Sequence, residues 1–217
     1  MSSIVNTVTE VAEDVHTRER LLEAAARLFA DHGYTHVTIR DICGAARANI
    51  AAVNYHFAGK AGLYDEVVQL AIHTMQSVTR EAEDAGAGKN AEGRLRAYVH
   101  VFLTRVAAID ADGWMHHIML RELSEPTSAL DRIVDQVVRP RMAYLRGIVA
   151  ELLGCPADDE RVVRCAFSIH SQCIAMMNKP MVEQLNPSAG GRDGVGTMVD
   201  HITEFSLAGL WALARTT

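Results

Sequence analysis

Residues 38–60, TIRDICGAARANIAAVNYHFAGK, hold the densest set of side chains in this chain able to meet a polyanion. Thr38 and Arg40 bring a hydroxyl and a guanidinium to a helix start, where backbone N–H groups also point outward; that combination suits a phosphate oxygen. Asn49 precedes Ile50, Ala51 and Ala52, a helix start with little bulk and no acid. Asn54, Tyr55 and His56 offer hydrogen-bonding tips one to two turns later, and Lys60 adds a cation.

Two short helices and a tight turn must hold these groups. Thr38 and Asp41 have capping-box spacing for the first helix, and Ile39 and Ile42 point to one side of it. Small residues from 44 to 48 allow close helix approach. Asn49 is a good N-cap for the second helix. A slim, acid-free helix start at the positive end of the dipole can enter the major groove of duplex DNA with little clash. Plainer roles also exist: Thr38 as a cap alone, Tyr55 packed on the preceding helix, His56 as a turn hydrogen-bonder. Phe57 has no polar handle and is read as core.

As a set, Phe29, Gly33, Tyr34, Thr38, Ile39, Ile42, Ala46, Tyr55, His56, Phe57, Lys60 and Leu63 resemble the helix-turn-helix of TetR/AcrR-type transcriptional regulators. The run ANIAAVNYHF is most similar to the CecR-like subset. The resemblance covers the first third of the chain. It implies an all-α protein of about nine helices. An N-terminal three-helix DNA-binding domain would be followed by a helical domain for ligand binding and dimerisation. It further implies a homodimer on a palindromic double-stranded operator, a small-molecule effector, and a helix from Lys60 onward that tilts the reader when ligand binds. Two positions depart from the pattern. Arg47 stands where glycine is usual, at a cost of about 1 kcal/mol if the backbone there is left-handed. Asn54 replaces the first tyrosine of the exit cluster.

The charge balance fits once it is divided. The chain carries −6 overall, but residues 16–62 hold six Lys/Arg against four Asp/Glu. Phosphate attraction belongs to a face, so a mildly basic module on an acidic body is compatible with DNA. Residues 1–15 are polar and acidic, without a signal-peptide pattern, and read as a disordered tail. No apolar run is long enough for a membrane span. Four cysteines without C-x-x-C spacing suit a reduced, cytoplasmic setting.

The domain boundaries expected are 1–15 for the tail, 16–62 for the reader and 63–217 for the body. Apolar periodicity predicts helices at 17–32, 60–84, 91–110, 114–124, 126–153, 158–178 and 197–214. Pro140 must kink or interrupt the long one, Lys179-Pro180 should break the next, and 186–196 reads as a glycine-rich loop. The last two long helices are apolar and rich in small residues, fit to pack against a two-fold copy as a four-helix bundle. Dimer reading of DNA needs half-sites one helical turn, roughly 34–36 Å, or more apart.

Candidate effector contacts in the body are Tyr98, Phe102, Trp114, His117, Arg121, Tyr144, His170, Cys173 and Met177: an apolar interior with a few polar anchors, suited to a mostly apolar molecule. Each could equally be ordinary core or surface. His100, His116 and His117 lack the i, i+4 spacing of a metal pair, so no metal site is expected. Neither G-x-S-x-G, H-E-x-x-H nor a phosphate loop occurs, so no catalytic residue or cofactor is assigned. A small helical enzyme, or a helical interaction scaffold without a ligand switch, remains as an alternative.

Overall fold

The computed structural model describes the backbone at residues 2–109, 113–176, 179–185 and 192–215, and side chains there from Asp14 onward except at 106–109, 116, 179, 180, 183, 192 and 193. Among the described residues there is no strand. The helices are α1 (Ser2–His36), α2 (Ile39–Ala46), α3 (Ile50–Phe57), α4 (Lys60–Gly86), α5 (Ala91–Ile109), α6 (Trp114–Ser124), α7 (Ala129–Ile133), α8 (Arg139–Leu153), α9 (Glu160–Ala175), α10 (Lys179–Leu185) and α11 (Arg192–Ala214). A π-helical turn, Val134–Val138, joins α7 to α8.

The chain divides into two compact units. One comprises Met1–His73 with Asp112–Leu130, the other Thr74–Ala111 with Asp131–Thr217. The first contains α1, α2, α3, the N-terminal half of α4, and α6. Leu21, Ala25, Phe29, Ile42, Val53, Phe57, Leu63 and Val67 are buried there. Each such aliphatic or aromatic side chain contributes about 1.5–3 kcal/mol on burial. Phe29 meets Tyr64 edge-on at 4.9 Å.

Several local features follow from residue type. Gly33 leaves helical geometry at φ 79°, ψ 161°, the stop that its position announces. Arg47 adopts φ 51°, ψ 47°, so the left-handed turn is made without glycine. A Cβ on Gly62 would overlap the Phe57 carbonyl, which lets α4 start directly beside the end of α3.

In the first unit two elements differ from expectation. The stretch read as a disordered tail falls within α1, which begins at Ser2; Ile4, Val5, Val8, Val11, Ala12 and Val15 recur at helical spacing. And α6, counted from sequence with the body, packs on α1 in the first unit. The apolar stripe of a helix states that it is covered, not by which neighbour.

In the second unit, α5, α8, α9 and α11 enclose a core of Leu95, Tyr98, Val99, Leu145, Ile148, Val162, Ala166, Ile169, Cys173 and Ile202. Pro140 does interrupt the long helix. Lacking an N–H, it cannot serve the carbonyl four residues back. The chain takes a π turn there, and Gln76 Nε2 donates to the Gln136 carbonyl at 3.2 Å instead. Pro140 then sits in the first turn of α8, where proline is tolerated. Helix α10 has no counterpart among the helices expected from sequence, and α11 begins at Arg192 rather than at 197. The rest of the glycine-rich stretch, 186–191, lies outside the described residues.

Candidate functional site

The site grows from two capped helices. Thr38 Oγ1 accepts from the Asp41 N–H at 3.2 Å, and the Thr38 N–H donates to Asp41 Oδ2 at 2.9 Å, completing the capping box. The Thr38 hydroxyl also donates to Asp41 Oδ2, at 2.7 Å. These bonds hold the Asp41 carboxyl below its ordinary range. The hydroxyl proton is therefore already engaged, which corrects the reading of Thr38 as cap and phosphate donor at once.

Asn49 caps α3 through Oδ1, which accepts from the Ala52 N–H at 2.8 Å. Its amide NH2 stays on an exposed residue and can address only acceptors: guanine O6 or N7, adenine N7, thymine O4, or a phosphate oxygen. Ile50 is 46% exposed, Ala51 and Asn54 are exposed, and Tyr55 is 77% exposed, whereas Val53 and Phe57 are buried. One face of α3 thus holds the core and the other carries the predicted contacts.

His56 does not join that face. Its side chain is 7% exposed and its Nε2 lies 3.2 Å from Asp14 Oδ1 on α1. The residue is the last-turn base of a short helix, and an acid on the neighbouring helix captures it.

The cations of the module sort in the same way. Arg18 pairs with Glu66 at 2.9 Å and lies over the Phe57 ring. Arg20 donates to Thr17 Oγ1, and Arg27 pairs with Glu23 at 2.8 Å. Lys60 Nζ sits 4.5 Å from the Tyr34 ring centroid, which leaves its N–H groups available. Arg40 and Arg47, one at each end of α2, are exposed and make no ion pair with a described residue.

The candidate effector contacts fall into two groups. Trp114, His117 and Arg121 lie in the first unit on α6. Arg121 Nε donates to the Ala30 carbonyl at 3.2 Å and its Nη2 to the Asp31 carbonyl. These are carbonyls at the end of the helical run of α1, just before the Gly33 turn, so the guanidinium closes that terminus. With Ala30, Leu120 and Glu125, His117 and Arg121 line a surface cleft of about 370 Å³. Met177 lies outside the described residues.

Tyr98, Phe102, Tyr144, His170 and Cys173 do come together in the second unit. The Tyr98 phenol oxygen is 2.7 Å from His170 Nδ1. Phe102 meets His170 edge-on at 5.3 Å, and Tyr144 donates to the Ala82 carbonyl at 3.3 Å. Burial raises the Tyr98 and Tyr144 hydroxyls and pushes Cys173 up to about 12. Burial, then the neighbouring Arg141 charge, press His170 down to about 4.

Two buried charged residues escaped the sequence reading. Arg141 on α8 is 7% exposed and reaches into this group; Glu122 on α6 is 1% exposed and accepts a hydrogen bond from the Tyr64 hydroxyl. The signal existed. Arg141 is four residues from both Val137 and Leu145, and Glu122 four from Ile118, so each lies within an apolar stripe. Among the described residues no group of three His, Cys, Asp or Glu is placed to hold a metal ion, and no helix is long and apolar enough to cross a membrane.

Residues 21–67 match the family model for bacterial regulatory proteins of the tetR family, and residues 91–210 match that for the C-terminal domain of the HTH-type transcriptional dual regulator CecR. The chain belongs to the TetR family and is CecR-like. It is 26% identical over 166 residues to the "HTH-type transcriptional dual regulator CecR" of Shigella flexneri, covering 73% of this chain and 74% of that one. It is 27% identical over 154 residues to the "Probable acrEF/envCD operon repressor" of Escherichia coli K12, covering 68% of each. The fold matches that of the fatty acid degradation regulator FadR from Bacillus halodurans with a TM-score of 0.63 at 16% identity, over 89% of this chain and 96% of that one. This TetR-family chain is accordingly a helix-turn-helix transcriptional regulator, and the relatives named are regulators rather than enzymes.

Proposed function

We propose that this TetR-family regulator is a homodimeric, cytoplasmic repressor. In this reading two copies set their α3 starts into successive major grooves of a palindromic operator, and a small, mostly apolar molecule in the interior of the second unit lowers that affinity. The observation that carries it is the exposed, acid-free start of α3, with Asn49 capping through its oxygen and leaving its amide hydrogens outward. Asn49, Ile50, Ala51 and Ala52 would meet base edges, and Arg40, Asn54, Tyr55 and Lys60 the backbone. Repression follows the naming of the operon repressor among the relatives.

Support for the dimer comes from α9 and α11. Phe167 is 67% exposed and Phe205 64%, with Val163, Ile174, Trp211 and Leu213 also well exposed on the same two helices. Apolar area of that extent on two adjacent helices is what a two-fold four-helix interface covers. Effector control would then be a coupling between two sites, typically 1–3 kcal/mol and equal in both directions.

A gel shift on DNA flanking the protein's own gene, at several salt concentrations, tests the reading. Specific binding should survive competitor DNA and weaken with salt. Lys60→Ala should weaken binding to all sequences alike, whereas Asn49→Ala should change site preference and remove a cap worth about 1 kcal/mol. Phe167→Glu should yield a monomer by light scattering and abolish operator binding. A protein that is monomeric at working concentration, or that binds competitor as well as operator, would overturn it.

A further inference from the structure

We propose that the interior of the second unit binds a ligand with one carboxylate and an apolar remainder, its head group held by Arg141. The proposal rests on the effector reading above and gives that effector a chemical class.

Arg141 is placed where a charge is expensive. It lies in the apolar stripe of α8 and is 7% exposed. Its Nε donates to Thr79 Oγ1 at 3.1 Å and its Nη2 to the Met75 carbonyl at 2.8 Å, both on α4. The guanidinium carbon stands 5.1 Å from the Phe102 ring centroid. Every one of these partners is neutral. Among the described residues no carboxylate makes an ion pair with it. A buried charge is ordinarily paired, because neutral hydrogen bonds recover only part of its lost hydration.

The described titratable neighbours do not supply the missing anion. Burial holds the Tyr98 phenol and the Cys173 thiol in their protonated forms, and His170 in its neutral form. Among these described neighbours, none offsets the positive charge of Arg141. A carboxylate cancels it, whereas a phosphate dianion would replace one uncompensated charge with another.

The geometry of the donor agrees. Two of the five guanidinium N–H groups are used, and the planar fork matches the two oxygens of a carboxylate. Arg141 and His170 each retain 7% exposure and Phe102 4%, so none of the three is fully sealed from solvent. Phe102, Leu145 and Ile148, all buried, make the wall apolar.

The test uses the purified full-length protein with linear carboxylates from hexanoate to hexadecanoate, and the matching alcohols and methyl esters. Melting temperature and operator affinity are read together. At least one carboxylate should raise the melting temperature and weaken operator binding by about tenfold, while its alcohol and ester do neither. Arg141→Met should lose that response. Arg141→Lys, which keeps the charge without the fork, should need about tenfold more carboxylate; it serves as the readout if the methionine variant does not fold. A carboxylate series without effect, or an undiminished response in these variants, overturns the proposal. Alcohols that act as well as the acids also overturn it, while leaving effector control intact.

Discussion

The phenol oxygen of Tyr98 lies 2.7 Å from Nδ1 of His170, inside the second unit. Neutral imidazole satisfies this contact, and burial together with Arg141 holds its pKa at about 4. In the unfolded chain the same ring takes up a proton near pH 6.5. Between those values the unfolded state binds more protons, so stability falls as pH drops through that window. The full loss is about 3 kcal/mol below the folded pKa. Urea unfolding at about pH 7 and about pH 4.5 should show the wild type losing more stability than His170→Gln. Equal losses would assign the pH dependence to other groups.

Glu122 is the acceptor at a second buried junction. Its Oε1 takes the Tyr64 hydroxyl and that of Thr127 at 2.8 Å, and its Oε2 the Thr127 N–H at 3.0 Å. Burial, then the bond to Glu122, raise the Tyr64 hydroxyl above its ordinary pKa. Tyr64→Phe removes one donor from a buried acid and should cost about 1.5–3 kcal/mol. Glu122→Leu strands the two hydroxyls, so the double variant should be less destabilised than the two single losses added together. A thermodynamic cycle from urea unfolding measures the coupling; strict additivity would mean the three groups act separately.

The reader was largely legible because its signals are local. The Thr38–Asp41 box, the Asn49 cap and the Gly33 stop each depend on a few adjacent residues, and the folded chain shows them all. What was missed depends on partners distant in sequence. Arg121 reads from sequence as a candidate effector contact, yet it closes the end of α1 some ninety positions earlier. His56 reads from sequence as a candidate DNA contact, yet Asp14 holds it. Arg141, being charged, reads by default as surface, although its stripe spacing argues for burial.

The π turn before Pro140 yields a directional test. Gln76 Nε2 reaches the Gln136 carbonyl that proline cannot serve. Pro140→Ala restores an N–H, so α-helical bonding can resume and Gln76 becomes dispensable. Gln76→Ala should therefore cost about 0.5–1.5 kcal/mol in the wild type and less in the Pro140→Ala background. The same cost in both backgrounds would detach the glutamine from the proline.

At Arg47 stability and DNA binding are expected to respond with opposite signs. Its backbone N–H closes α2 onto the Cys43 and Gly44 carbonyls in a left-handed conformation, which glycine adopts at about 1 kcal/mol less. The side chain is exposed and unpaired among the described residues, two positions before the Asn49 cap. In the proposed docking a guanidinium there would lie next to the helix start that enters the groove, where it could meet a flanking phosphate. Arg47→Gly should raise the melting temperature by a few degrees. It should also weaken operator binding several-fold and reduce the salt slope by about one. Arg47→Asn, which tolerates the left-handed backbone but lacks the charge, should lose affinity to the same extent. If Arg47→Gly gained stability with affinity and salt slope unchanged, Arg47 would be no part of the interface, and its strained backbone would serve nothing at the DNA.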